Sequence, residues 1–311
     1  MSLAPVVINT YRTDADLFVG GETIKSKEGT TQGDPLAMAM YSVAITPLIR
    51  QVSCADNKQL WFADDASSGA KLPALRRWWD ALVREGPAFG YFVNGEKTWL
   101  VTKEEHFEEA QEIFHGTGVN ITVSGKRHIG AAVGTHEFVT EYVSHQVTGW
   151  VEQINRLSGI AKSQPQSAYA AFCRSLSGRW TYLSRVVPRI AELLQPVEQA
   201  IRQRFIPSLT GQSVPGKLER DLFALPTRLG GLGLPNPAET SEGQFKASTR
   251  LTAPLLALVV QQHTPVGEVR NEAEKTRKAI RSDRRRQQAK AAEQLRGHLS
   301  EKLQRCMDLA K

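Results

Sequence analysis

Nowhere in the 311 residues does an apolar run approach the roughly 18 residues of a membrane-spanning helix. The N-terminus lacks a basic stretch followed by an apolar core, which speaks against a secretory signal. Cysteine is scarce, and Cys54, Cys173 and Cys306 stand far apart, in neither a disulfide framework nor a zinc-ligand spacing. These absences predict a protein of a reducing compartment, cytoplasmic or nuclear, with no membrane partner. An acidic excess is missing too. Residues 268–311 hold 13 Lys and Arg against 7 Asp and Glu, a net +6 of the chain's +7. The body is almost neutral and the tail carries the field. That tail is rich in helix formers and poor in large apolar residues, so it reads as an exposed helix that frays easily. Its charge suits a phosphate backbone, and suits a plain solvated helix equally well.

What is present is enough for a core. A 41% apolar content over this length allows one large or two modest domains. "LAPVVINTYR" reads as the end of a helix, and "ADLFVGGETIKSKEG" as a hairpin around Gly20-Gly21. In "GDPLAMAMYSVAITPLIRQV", Asp34 is a good N-cap and Pro35 stands where a helix begins. "KQLWFADDASSGAK" is strand, tight turn, strand. A stripe of Leu75, Trp78, Trp79, Leu82 and Val83 marks the next helix as core-facing, ended by Gly86. "YFVNGEKTWLV" and "NITVSGKRHIGAAVG" add strands. The expectation is an α+β layer over residues 15–134: one antiparallel sheet, with the helices near 35–50 and 72–84 on the same face. Residues 140–210 predict three helices, the first striped by Val143, Val147, Trp150, Val151 and Ile154. Arg174, Arg179, Arg185 and Arg189 are placed on one face of that bundle, towards a duplex or simply towards water.

Two motifs in the first layer carry chemistry. "EGTTQGDPLAMAMY" sets Gly29 and Gly33 around Gln32 just before a capped helix, a loop whose backbone can approach a ligand closely. It is not a P-loop, because no Gly-Lys-Ser/Thr follows. "FADD" sets Asp64 and Asp65 side by side at a strand end, where two carboxylates repel unless a cation sits between them. Mg²⁺ prefers such hard oxygens and keeps waters for substrate phosphates. Paired metals can clamp the attacking and leaving oxygens of a phosphoryl displacement.

"GTTQGDPLAMAMY", "FADD", "GYFVNGEKTWLV" and "RHIGAAVG", in this order and spacing over residues 28–134, resemble the palm of a reverse transcriptase of a non-long-terminal-repeat or related retroelement. "LPTRLGGLGLPNP", residues 225–237, resembles a segment after the thumb of such polymerases. The resemblance implies an RNA-directed DNA polymerase that uses Mg²⁺, an RNA template, a DNA primer and deoxynucleoside triphosphates. It implies that Asp64 is the main metal ligand of the hairpin, with Asp65 supporting it. Gln32 and Gly33 would contact the template and the incoming nucleotide pair. Lys97 would protonate the leaving pyrophosphate, a role that sits beside the plainer one of a surface lysine. Gly130 and its neighbours would form the turn that lets the primer backbone come close.

The chain also departs from that family. A third carboxylate, on a strand well before the glutamine-glycine loop, is expected in the family and has no counterpart here. Asp14 and Asp16 are the only upstream aspartates, at the entry to a hairpin strand. The fingers are missing as well. The division expected is a partial palm over 1–138, a helical thumb-like region over 139–262 and a basic helical tail over 263–311. The chain then reads as a fragment of a polymerase, partnered by the missing upstream segment. The alternative is a catalytically inactive remnant that only binds nucleic acid.

Overall fold

The computed structural model describes residues 4–27, 29–30, 33–262 and 266–309. It is α+β with helix predominating. Among the described residues no helix is long and apolar enough to cross a membrane. The chain divides into two compact units, residues 1–96 with 112–118, and residues 97–111 with 119–311.

The first unit opens with α1 (Ala4–Tyr11) and the hairpin of β1 (Ala15–Val19) and β2 (Glu22–Ser26). Its turn is Gly20-Gly21, both at positive φ, the two-residue turn that matches strand twist. Helix α2 (Ala37–Gln51) starts two residues later than Pro35 suggested. Asp34, expected as the N-cap, is displaced from that role: the cap is Leu36, without a side-chain cap bond, and Asp34 instead accepts the Leu36 N–H at 2.7 Å in the loop just before the helix. Strands β3 (Lys58–Phe62) and β4 (Asp65–Gly69) form a second hairpin, followed by α3 (Leu72–Glu85). Trp61, on one face of β3, packs with Ile45, Leu48 and Val52 of the α2 region and Leu82 of α3. Gln59, on the same face and buried, donates to the Ile49 carbonyl at 2.9 Å and accepts from the indoles of Trp61 and Trp78, each at 3.1 Å. Both helices therefore cover one face of this hairpin, as patterning required. Val83, read as part of the stripe, is exposed instead.

The second unit begins with β5 (Trp99–Val101), α4 (Phe107–Ile113, which crosses the boundary), β6 (Asn120–Thr122), β7 (Gly125–His128) and β8 (Ala131–Gly134). β5 and β6 pair in parallel, and β7 and β8 form an antiparallel hairpin. The single antiparallel sheet expected over 15–134 is therefore corrected to four separate two-stranded ladders. Three of the four ladders described pair strands adjacent in sequence across a two-residue turn, the pairing that closes the shortest loop.

Helix α5 (His136–Ala161) is capped by the Thr135 hydroxyl and buries Val143, Val147, Trp150 and Ile154 of the predicted stripe, while Val151 is half-buried. Next come α6 (Pro165–Ala171), α7 (Ser177–Val186), α8 (Gln195–Ala200) and α9 (Ile206–Thr210). Single π-helical turns, Phe172–Leu176 and Ile201–Phe205, join α6 to α7 and α8 to α9. They place Phe172 and Phe205 in a stacked pair, ring centroids 4.6 Å apart, at the centre of a bundle. Helix α10 (Lys217–Ala224) brings Arg220 into a buried bidentate pair with Glu198, at 2.7 and 2.6 Å, while its third nitrogen donates to the Leu234 carbonyl. Buried charge of this kind is tolerated because every partner is satisfied.

Helices α11 (Pro237–Gln261), α12 (Val266–Arg296) and α13 (Glu301–Leu309) complete the unit. The described part of the basic tail is helical as expected, and it is not exposed throughout. Ala292, Leu295, Leu299 and Met307 bury against Leu222 and Leu225. The Gly-Gly-Leu-Gly segment acquires a packing reason. A side chain at Gly230 would meet the Met307 backbone at 2.8 Å, and one at Gly231 would run into the carbonyls of Leu222 and Leu225.

Candidate functional site

In the first unit the two aspartates lie where the strand-turn-strand pattern put them. Phe62 pairs with Asp65, so Ala63 and Asp64 form the two-residue turn of the β3–β4 hairpin. Ala63 has φ 54°, a left-handed conformation that costs a non-glycine residue of order 1–3 kcal/mol. The Tyr91 hydroxyl donates to the Asp64 carbonyl at 3.0 Å and holds the turn from below. Tyr91 also packs on Trp61, ring centroids 5.3 Å apart. Burial, then Tyr41 and the two aspartates, push its phenol up to about 12. Tyr41, one turn into α2, is raised by burial first and by the Asp64 charge second. Both carboxylates of the pair are exposed to solvent.

The loop before α2 lines a cleft of about 630 Å³ with Thr10, Tyr11, Lys27, Gly29, Gly33 and Asp34. Gly29 and Gly33 have φ of 81° and 93°, and among the described residues no atom lies within 4 Å of where a Cβ at either would sit. The Tyr11 hydroxyl donates to the Asp34 carboxylate, which also takes the Leu36 N–H. These two bonds, Tyr11 foremost, hold Asp34 below the usual carboxylate range. Gln32, expected to touch the template, lies outside the described residues, as do Glu28 and Thr31.

Asp16 is engaged with Lys25 across the β1–β2 ladder at 2.7 Å. Among the described residues no group of three or more His, Cys, Asp or Glu side chains could hold a metal ion. Asp64 and Asp65 fit Mg²⁺ in kind, being hard oxygens, but fall short in number for a two-ion site.

The second unit holds the other two sequence-derived residues. Lys97 ends the short 3₁₀ turn Gly95–Lys97 and is exposed. Gly130 is the second residue of the β7–β8 turn, φ 75°, after Ile129 at φ 45°. Arg127 and His128, both exposed, precede that turn and alternate between the two faces of β7, and Lys126 Nζ lies 3.5 Å from the centroid of the Trp99 ring. The four arginines do not share one face. Arg179 bonds to Gln153 on α5, whereas Arg185 bonds to Gln244 on α11. Six residues of helix turn them about 120° apart.

Sequence reasoning missed the tyrosines. Tyr11, Tyr41 and Tyr91 surround the first unit's motifs, and Tyr142 and Tyr182 hold the turn at Gly130. Tyr41 and Tyr91 sit inside the quoted motifs, which was the only signal available. Comparison of the chain with protein-family models, with curated proteins and with solved structures gives no match.

Proposed function

We propose that the chain is part of a reverse transcriptase, binding a DNA primer on an RNA template and carrying half of the metal-binding chemistry of nucleotidyl transfer. One observation carries the reading: the motif resemblance puts its acid pair at Asp64-Asp65, and Asp64 lies in the turn and Asp65 at the start of the second strand of a hairpin backed by two helices, the first of which follows the glutamine-glycine loop. A rigid hairpin holds carboxylates at fixed positions, which a metal of strict geometry needs.

In this reading Asp64 and Asp65 would hold Mg²⁺, which supplies charge neutralisation for phosphoryl transfer. Gly33 offers its backbone to the template and nucleotide pair. Lys97 supplies a proton and a positive charge to the leaving pyrophosphate, and Gly130 lets the primer backbone approach. The basic face of α12 adds sequence-independent attraction for phosphate. Two carboxylates from one hairpin cannot surround two ions, so no metal-dependent step is assigned to this chain alone.

Primer extension on an RNA template with Mg²⁺ tests the proposal. The chain alone should bind primer–template weakly and extend it little. Adding a polypeptide that supplies the missing aspartate strand should restore synthesis, and Asp64→Ala should abolish it again. Robust Asp64-dependent synthesis by the chain alone would mean that Asp14 or Asp16 completes the site. The shortfall in carboxylates favours a second reading, a remnant that only binds nucleic acid. Binding without extension under any supplement selects it.

A further inference from the structure

The β7–β8 turn combines two features that do not belong together by chance. Ile129 and Gly130 both have positive φ, 45° and 75°, the pattern of a tight hairpin turn normally built from Asn and Gly. A β-branched residue at the first of these positions is a genuine outlier, because its branched Cβ crowds the backbone. Something outside the turn must hold it there.

Two side chains do. The Tyr182 hydroxyl, from α7, donates to the Ile129 carbonyl, and the Tyr142 hydroxyl, from α5, donates to the Gly130 carbonyl at 3.1 Å. The Tyr182 ring also lies against Gly130, so that a Cβ there would sit 3.4 Å from its edge. Both turn carbonyls are therefore drawn towards the helices. A trans peptide sets its N–H opposite its C=O. With the Ile129 carbonyl turned to Tyr182, the Gly130 N–H points away from that hydroxyl, and the exposed Arg127 lies two residues before the turn in the same strand. Another hairpin turn with a left-handed non-glycine residue is also tied by a tyrosine: Ala63 at φ 54° precedes Asp64, whose carbonyl takes the Tyr91 hydroxyl.

We infer that Tyr142 and Tyr182 are positioning residues, which fix the Ile129–Gly130 turn so that the Gly130 N–H is presented outward to a nucleic-acid phosphate. The phosphate part of this statement rests on the reading given under Proposed function. The positioning part rests on the turn alone. Arg127 supplies the neighbouring positive charge, and the hydroxyls keep the carbonyls, which would repel an anion, on the opposite side.

The test uses the full chain, labelled with ¹⁵N, and a fluorescent DNA primer annealed to an RNA template. Tyr142→Phe with Tyr182→Phe keeps both rings and removes both hydroxyls. The Gly130 amide shift should then leave its native position, and duplex affinity should fall roughly three- to ten-fold, the size of a lost hydrogen bond. Adding Ile129→Gly, which lets the turn hold its left-handed form unaided, should restore both. An unmoved Gly130 amide in the double phenylalanine variant overturns the inference. So does a moved amide that Ile129→Gly fails to restore, since the tyrosines would then act through packing alone. If the native chain binds no duplex, the nucleic-acid reading falls, and the amide signature still decides whether the tyrosines position the turn.

Discussion

In the second unit Phe172, Phe205, Ile154, Leu194 and Ile201 are almost wholly excluded from solvent, while in the first Phe18 and Val43 stay 79% and 76% exposed. Composition does not explain this, since the first unit is the more apolar by sequence, 47 AVILMFWYC residues of 103 against 80 of 208. Geometry makes the difference. A helix in a bundle can be covered on several sides, and α5 is met by α6, α8, α9 and the Ile201–Phe205 turn. A two-stranded hairpin without a third strand has two faces and two edges to cover and few neighbours to do it. The β1–β2 hairpin leaves Leu17, Phe18, Val19 and Ile24 all exposed. The fully buried cluster under β3 is only Ile45, Leu48, Val52 and Leu82. The helical unit is therefore where stability resides. The unit bearing the aspartates has a shallow core and sets its loops by hydrogen bonds from tyrosines.

The contrast is broken most directly in the bundle. Phe172→Ala removes one ring of the stacked pair at its centre, and the two π-helical turns that place Phe172 and Phe205 give the cavity little freedom to collapse. The expected loss is about 3–5 kcal/mol in urea unfolding. Hydrogen exchange should show it in the peptides of α5 to α9. Leu48→Ala, in the thin core, should cost less, about 2 kcal/mol, because exposed neighbours can settle into the gap. Its exchange signature should be confined to α2, α3 and the β3–β4 hairpin. Equal losses for the two variants would mean that the first unit is as tightly cored as the second.

Local pattern told which segments would be helix or hairpin. The stripe from Val143 to Ile154 and the Gly20-Gly21 turn each announce one element by spacing alone. The turn holding Asp64 was equally legible, since an apolar strand ended in two acids and small residues. Pairing between elements was not. Nothing in three-residue segments such as Trp99–Val101 says that the partner is Asn120–Thr122, or that it runs parallel. The docking of the tail was hidden because Ala292, Leu295 and Leu299 are sparse among arginines and glutamines, though their spacing suits one helix face. The tyrosine contacts were hidden for another reason. Tyr182 meets Ile129 across 53 residues of sequence, and a phenol carries no mark of which carbonyl it will find. Of the candidate site, the acid pair and the glycines could be read in advance; what fixes them could not.

The smallest effect expected is also the one that isolates how the first unit holds its loop. Asp34 receives the Tyr11 hydroxyl and the Leu36 N–H, both of which favour the charged carboxylate. Its folded pKa is therefore depressed below its unfolded value. A group of this sign contributes stability that is present above the unfolded carboxylate range and lost as the pH falls through the lowered folded value. The loop before α2 should loosen only in acid, at a pH below the point where ordinary aspartates titrate. Tyr11→Phe removes the larger of the two causes and leaves the Leu36 N–H in place. Carboxyl titration followed by NMR should then show Asp34 moving up towards the ordinary range, and the acid loosening of Gly33 should begin at a higher pH. An Asp34 titration unchanged by Tyr11→Phe would show that the Leu36 N–H alone sets the carboxylate. The first unit would then owe this loop to its helix end, and one of its tyrosine ties would carry no weight.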